Sequence, residues 1–378
     1  MNHQGFLVKL FSWLESKILS SSFQKLFFVM LGLMIVKVGI WQMPNLPSTG
    51  MIAQNPFVNA FADTPDAQYL MYSWFSSFVA WCLHLKNLTK FFLLHFCCSI
   101  GFVLLFAKNA LEKQSLDNAK KSLILFFLFP VSATSFFWVG IDSVTLFLMM
   151  LSLCFFKNAK WSFLFACMLG LQHFEQGLFS ALVLMFAILL NREKLDVNLK
   201  HVAIYLCGIL LGKLMLFLIF KSAGIVLVSN RALIAKTTLK LYIQQFFFHF
   251  QVIVWSVLGV GWLAVLRFYQ LYRSQWAVLL SIFGLVMIIT PIIGDQTRVD
   301  CIILFPIIWV FLLNNTHFLE KLTWMEVIGG LCLWLFIPWI WVWGAPRWSV
   351  FPYDVYYVLH KLFHHLPWPE NVWLWPFV

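Results

Sequence analysis

The sequence predicts an all-α, polytopic transmembrane helical bundle, and three observations predict it. Hydrophobic residues fill 62% of the 378 positions and charged residues only 11%, where an ordinary soluble domain carries roughly 25% charged residues. Apolar runs approaching the ~20 residues that a helix needs to cross a hydrocarbon core recur along the whole chain. The hydrophilic stretches are all too short to fold as a separate globular unit, so residues 1–343 read as one membrane domain and residues 344–378 as an aromatic-rich tail at the outer surface.

Taken in order, residues 5–19 place Phe6, Leu7, Leu10, Phe11, Leu14 and Ile18 at helical spacing, with Lys9, Glu15 and Lys17 elsewhere. That pattern predicts an interfacial amphipathic helix. The run at 24–43 is too long for a signal-peptide core and lacks a small-residue cleavage site, so it is expected to stay as an anchor. Lys9, Lys17 and Lys25 place its N-terminal end in the cytoplasm. A first outer loop, 44–89, follows. Further spans are expected at 90–107, 122–138, 142–156, 161–172, 176–190, 201–220, 246–266, 275–293, 299–313 and 324–343, about eleven in all. This count puts the basic loops 108–121, 157–160, 191–200 and 267–274 on the inner side, as the positive-inside bias requires.

The formal net charge of +11 would suggest nucleic acid in a soluble protein. Here the inner loops account for most of it, so the bilayer is the expected partner and nucleic acid is not. Eight cysteines contain no C-x-x-C pair, and neither a zinc site nor a disulfide framework is read from them.

The same count gathers Asp63, Asp66, Asp142, His173, Glu175, Asp295 and Arg298 on the outer face, with a loop at 221–240 that holds Lys221, Arg231, Lys236 and Lys240 and no acid. Ionisable groups at membrane depth cost about 2.5–3.5 kcal/mol each on insertion scales, so their collection at one end marks a candidate site. The acid-free basic loop suggests an anionic partner. Each residue also has a plainer reading. Asp63 or Asp66 would cap the helix that the run from Asp66 predicts, in which Tyr69, Leu70, Trp74, Phe75, Phe78 and Trp81 share a membrane-facing side while Ser73 and Ser76 stay polar. Asp295 would pair with Arg298, and His173 with Glu175 would sit in a solvated hairpin turn. The tryptophans from Trp334 onward would form an interfacial belt.

Three segments carry a resemblance. They are Asp66-Ala67-Gln68-Tyr69 in the first outer loop, Phe129 to Leu153 (F-P-x(6)-F-W-V-G-I-D-S-V-T-L-F-L-x(2)-L-S-L), and Lys157 to Leu171 (K-x-x-K-W-S-F-x-F-A-C-M-L-G-L). Together they resemble the polytopic GT-C glycosyltransferases, nearest to the branch of the glycosylphosphatidylinositol mannosyltransferase II type enzymes, over residues 60 to 190. Pro65 stands where that branch has Trp, Asp142-Ser143 reverses an acid–serine order, and His173 to Gly177 replaces an Arg-containing turn.

The resemblance implies transfer of a sugar, mannose being the commonest case, from a polyprenyl-phosphate donor to a lipid, glycan or protein acceptor at the outer face. It implies Asp66 as the general base, with Asp63 as its neighbour. Arg298, with Arg231 and Lys236, would hold the donor phosphate, so Arg298→Ala should impair donor use far more than expression. Asp295, Asp142, His173 and Glu175 would line the substrate site. No cofactor is required by the spacing, although the family leaves a divalent cation open. The rival readings are a polymerase or ligase using a polyprenyl-diphosphate-linked oligosaccharide, and a lipid or solute transporter or pathway scaffold. The lack of useful outer glycosylation sequons points to a bacterial plasma membrane.

Overall fold

The computed structural model describes residues 5–190, 198–228, 231–272, 276–343 and 345–349, with Phe351 and Leu362. Among the described residues the protein is all-helical apart from one two-stranded hairpin. Five helices are long and apolar enough to cross a membrane: α5 (Leu88–Lys113), α9 (Ala159–Leu190), α10 (Leu199–Ser222), the joined α12 (Phe250–Leu258) and α13 (Trp262–Leu271), and α15 (Gln296–Leu313). A sixth is added if α6 (Leu116–Leu128) and α7 (Pro130–Phe137), bent by 56°, count as one span. The protein is therefore an integral membrane protein with five or six such helices among the described residues, where the sequence predicts eleven spans.

Three shorter apolar helices, Ile141–Cys154, Leu280–Ile292 and Trp324–Phe336, lie within other expected spans, and two expected spans end early for local reasons. The first expected span, 24–43, ends as α2 (Phe23–Val38) because Gly39 takes φ +76, a left-handed conformation that favours glycine. Residues beyond it run as extended chain beside the end of α7: Trp41 N–H donates to the Phe136 carbonyl, and Met43 N–H to that of Val139. The expected span at 324–343 divides into α17 (Trp324–Phe336) and a strand, β1 (Ile340–Trp343), which pairs antiparallel with β2 (Ala345–Trp348). Trp339 and Trp341 are buried against Phe137 and Trp138 rather than placed in a surface belt. The rest of the expected tail lies outside the described residues, save Ser349, Phe351 and Leu362.

α9 is made of two helices that meet at His173, which leaves helical geometry with φ −155 and ψ 83. Its two halves pair with α10 in opposite directions. In the first half, Phe163 and Ala166 meet Gly208, while Cys167 and Gly170 meet Gly212. In the second, Gly177 meets Ile209 and Ser180 meets Tyr205. Gly177 also lies against Leu169. The chain thus doubles back at His173, the turn that the sequence predicts between 161–172 and 176–190. Small residues permit this crossing: a Cβ on Gly212 would stand 2.1 Å from the Cys167 carbonyl oxygen, the close backbone approach that small residues allow between membrane helices.

Two of the lysines read as inner-loop charges are structural. Lys120 donates to the carbonyls of Ile18 and Leu19, closing α1 (Phe6–Ser20), and Lys121 donates to Leu319 in α16 (Thr316–Lys321). Both ammonium groups sit on carbonyls in the last turns of helices, where the dipole favours positive charge.

Candidate functional site

Three helix ends, the α9 turn and one loop region meet at the end of the bundle opposite these lysines. α8 (Ile141–Cys154) begins there with Asp142 in its first turn, α15 begins there with Arg298 in its first turn, and α2 ends there. The α9 turn at His173 closes one side. The first outer loop folds over the top as α3 (Leu46–Ile52), a 3₁₀ helix (Pro65–Tyr72) and α4 (Trp74–Cys82).

Arg298 is the centre of the arrangement. Its Nη1 donates to Asp142 Oδ2, and its Nε donates to Asp295 Oδ2 at 2.5 Å. The guanidinium lies over the Trp138 ring with its Cζ 5.2 Å from the centroid, and Nη1 also approaches the Met43 sulfur at 3.8 Å. All three charged side chains are at most 11% exposed. The expected Asp295–Arg298 pair therefore forms, and Asp142, 156 residues away in sequence, joins it. Asp295 stands at the N-cap of α15 but makes no side-chain cap bond, its carboxylate being turned to Arg298.

Two carboxylates against one guanidinium leave the cluster with an excess of acceptors. Gln176 donates to Asp142 Oδ1 at 3.4 Å, yet its own Oε1 is buried without a partner among the described residues, as are Asp295 Oδ1, Gln296 Oε1 and Asp300 Oδ1. Burial, with the Asp142 charge adding to it and Arg298 opposing, pushes the Asp295 carboxyl up to about 6. Buried acceptors of this kind are normally satisfied by a donor, so the chemistry of the cluster suits hydroxyl groups or water. Among the described residues, no group of three or more His, Cys, Asp or Glu side chains is arranged to hold a metal ion.

The first-loop aspartates stand apart from this cluster. Asp63 and Asp66 are both exposed, and no hydrogen bond or ion pair joins either to a described residue. Thr64, not an aspartate, occupies the N-cap, and Asp66 lies in the first turn of the 3₁₀ helix. The predicted membrane-facing helix is interrupted at Ser73, and it is the serines expected to stay polar that face the protein, while Tyr69, Phe75, Phe78 and Trp81 are half-buried. Trp74 donates to the Pro56 carbonyl, Ser77 to that of Thr49, and the Ser76 N–H to the Gln172 side chain at 2.8 Å. Leu70, Ser73, Trp74 and Ser76 are all buried. In a 3₁₀ helix residues i and i+3 eclipse, so Asp66, Tyr69 and Tyr72 form one ridge, with ~6 Å of rise between successive members. Tyr69 accepts from Asn45 at 3.4 Å and lies within electrostatic reach of Arg298. Tyr72 packs against Phe220 and beneath the Lys213 ammonium, 4.1 Å from its ring centroid.

His173 and Glu175 approach each other at 3.6 Å, and Glu175 reaches Lys213 at 4.0 Å. Lys236 is exposed on α11 (Arg231–Phe248), which meets the start of α15 where Gln296 donates to the Tyr242 carbonyl. The Arg231 side chain lies outside what the structure describes.

Sequence reasoning passed over Asp300, Lys213 and Lys37. Lys37 is buried and donates to the carbonyls of Leu335 and Ile337 that end α17. All three are ionisable residues inside expected spans, the signal that marks such positions for inspection. No protein-family model matches this chain, and neither a curated protein nor a solved structure matches it.

Proposed function

We propose that the protein is a membrane glycosyltransferase that moves a sugar from a polyprenyl-phosphate-linked donor to an acceptor hydroxyl at the loop end of the bundle. The observation that supports this reading is that Tyr69, one turn along the same ridge from Asp66, lies within electrostatic reach of Arg298. An exposed carboxylate and a set of buried oxygen acceptors thus belong to the same end of the bundle. Asp66 serves as the general base, because a base must keep its lone pairs open to the incoming proton. Asp295, Gln176 and Gln296 take sugar hydroxyls on their unpartnered oxygens, while Asp142 holds Arg298 in place. Arg298, already shared by two carboxylates, is the positioning residue for those acceptors. The donor phosphate is drawn by the exposed Lys236 and Lys240 of α11. This divides the roles differently from the family resemblance, which assigns the phosphate to Arg298.

The test is direct. Purified protein in nanodiscs is offered a panel of polyprenyl-phosphate sugars with candidate acceptors, and release of polyprenyl phosphate is followed. Acceptor-dependent release from one donor supports the proposal; no release from any donor, with the protein folded, removes it. One observation favours the rival transport reading: Asp300 lies buried one turn inside the bundle from Gln296, bonded to Thr290 at 2.8 Å, where an ion-coupled carrier places its acid. Sugar or lipid uptake into proteoliposomes, lost in Asp300→Asn, would establish that alternative.

A further inference from the structure

We infer a second binding site, for one acyl chain of an anionic phospholipid, in the cavity between α9, α13, α14 (Trp276–Ile289) and α15. The cavity has a volume of about 530 Å³, within the usual range for ligand pockets. Its walls are hydrocarbon: Leu184 and Ala187 from α9, Val265 and Phe268 from α13, Ile307 and Phe311 from α15. In a helix bundle of this composition the solvent around such walls is lipid.

The polarity of the cavity is confined to one end. There the turn after α15 contributes Asn314 and Asn315, and the start of α16 contributes Thr316 and His317. Tyr272 also lines the cavity, and its buried hydroxyl has no hydrogen-bond partner among the described residues. Lys321 places its ammonium 4.9 Å from the centre of the Tyr272 ring. The nearby acids face other groups, Glu320 meeting His317 and Glu326 meeting Arg267. An apolar chamber with one polar mouth, an open hydroxyl donor and an ammonium beside it has the shape of an amphiphile with a negative head group.

The position of the mouth separates this ligand from the donor proposed above. Asn314 lies sixteen residues along α15 from Arg298, a rise of ~24 Å. A head group at Asn314–His317 therefore belongs to the opposite leaflet from the Arg298 cluster, and the site stands whether or not glycosyl transfer is the activity.

Native mass spectrometry of the full chain, purified in detergent and stripped of lipid, tests the inference by titration with phosphatidylglycerol, phosphatidylcholine or polyprenyl phosphate. One saturable phosphatidylglycerol adduct is expected, reduced about ten-fold in Ile307→Trp, whose ring takes the space of the chain. Lys321→Ala should weaken phosphatidylglycerol while leaving phosphatidylcholine unchanged. Leu280→Trp fills the cavity from an exposed position on α14 and serves if the Ile307 variant does not fold. Persistence of the adduct in a folded tryptophan variant overturns the inference. So does binding no tighter than the detergent, or loss of polyprenyl phosphate alone, which would make the cavity the donor's chain groove.

Discussion

Asp142 is 1% exposed, with Arg298 on one oxygen and Gln176 on the other, whereas Asp66 at the same end of the bundle is exposed and bonded to no described residue. The contrast is one of desolvation. A carboxylate taken out of water needs a partner and fixed donors, and once it has them its lone pairs are committed. A carboxylate left at the surface is loosely positioned but chemically open. The fold therefore separates two tasks that the sequence presents as one collection of acids: Asp142 holds helices α8 and α15 together through Arg298, while Asp66 is carried on a short helix that leaves it available.

The largest effect that would break this comparison is the removal of Arg298. Arg298→Ala leaves two buried carboxylates facing each other, and breaking a buried pair in this way costs about 3–5 kcal/mol. A drop in thermal unfolding temperature and in yield of monodisperse protein is expected, with part of the loss recovered in Arg298→Ala/Asp142→Asn. This reverses the expectation from sequence alone, in which Arg298→Ala spares expression. Unchanged stability in the single variant would mean that the cluster is solvated, and the distinction between Asp142 and Asp66 would fail.

Next in size is the effect on rate. A positioned general base contributes on the order of 10²–10⁴-fold, and Asp66→Asn removes the proton acceptor while keeping the shape. Because Asp66 is exposed, its melting temperature should match the parent, which is the opposite of the Arg298 result. Asp63→Asn should keep most activity. Equal loss in both variants would make the whole segment a surface contact, and loss in Asp63→Asn alone would move the base by three residues.

These two outcomes also mark how far the sequence could be read. Membrane insertion, helical architecture, the turn at His173 and the gathering of charged residues at one end are legible from composition and spacing, because each depends on a local run of residues. The pairing of Asp142 with Arg298 is not legible, since nothing local links residues 156 apart. Helix ends were misread wherever tertiary contact overrode hydropathy. Residues 40–43 are apolar enough to continue a span, but Gly39 turns them against Val139. Trp339 and Trp341 have the composition of a membrane belt and instead fill the core beside Phe137. Lys120 and Lys121 obey the charge bias of inner loops while their ammonium groups close helix ends, so one residue type served two purposes that a count of charges cannot separate.

A smaller effect sharpens the comparison by titration. Asp295 is held up to about 6 from an ordinary 3.8, chiefly by burial. Between these values the folded protein keeps a proton that the unfolded chain has lost. The contribution of Asp295 to stability is therefore fully present below about pH 4, falls as pH rises through 6, and is constant above that. The total is at most about 3 kcal/mol, from 1.36 kcal/mol per unit. Melting temperatures of the parent and Asp295→Asn, measured in parallel across this range, should converge in acid and diverge toward neutrality, with the parent the less stable. A difference independent of pH would place Asp295 in water.

The smallest effect lies between the two extremes, at the α9 turn. Glu175 and Lys213 are each about a third exposed, 34% and 31%, and 4.0 Å apart, so water screens much of their attraction. Half-exposed ion pairs of this geometry contribute roughly 0.2–1 kcal/mol. Lys213 also rests on the rings of Tyr72 and Phe174, at 4.1 and 5.2 Å. A double-mutant cycle with Glu175→Gln and Lys213→Met isolates the charge coupling from the ring contacts. Lys213→Met alone should cost more than Glu175→Gln, because it removes the cation from Tyr72 as well as from the carboxylate. A coupling of several kcal/mol would instead place this turn with Asp142, as a buried pair on which the bundle depends. A coupling within the range for exposed pairs would set this turn with the surface groups rather than with Asp142.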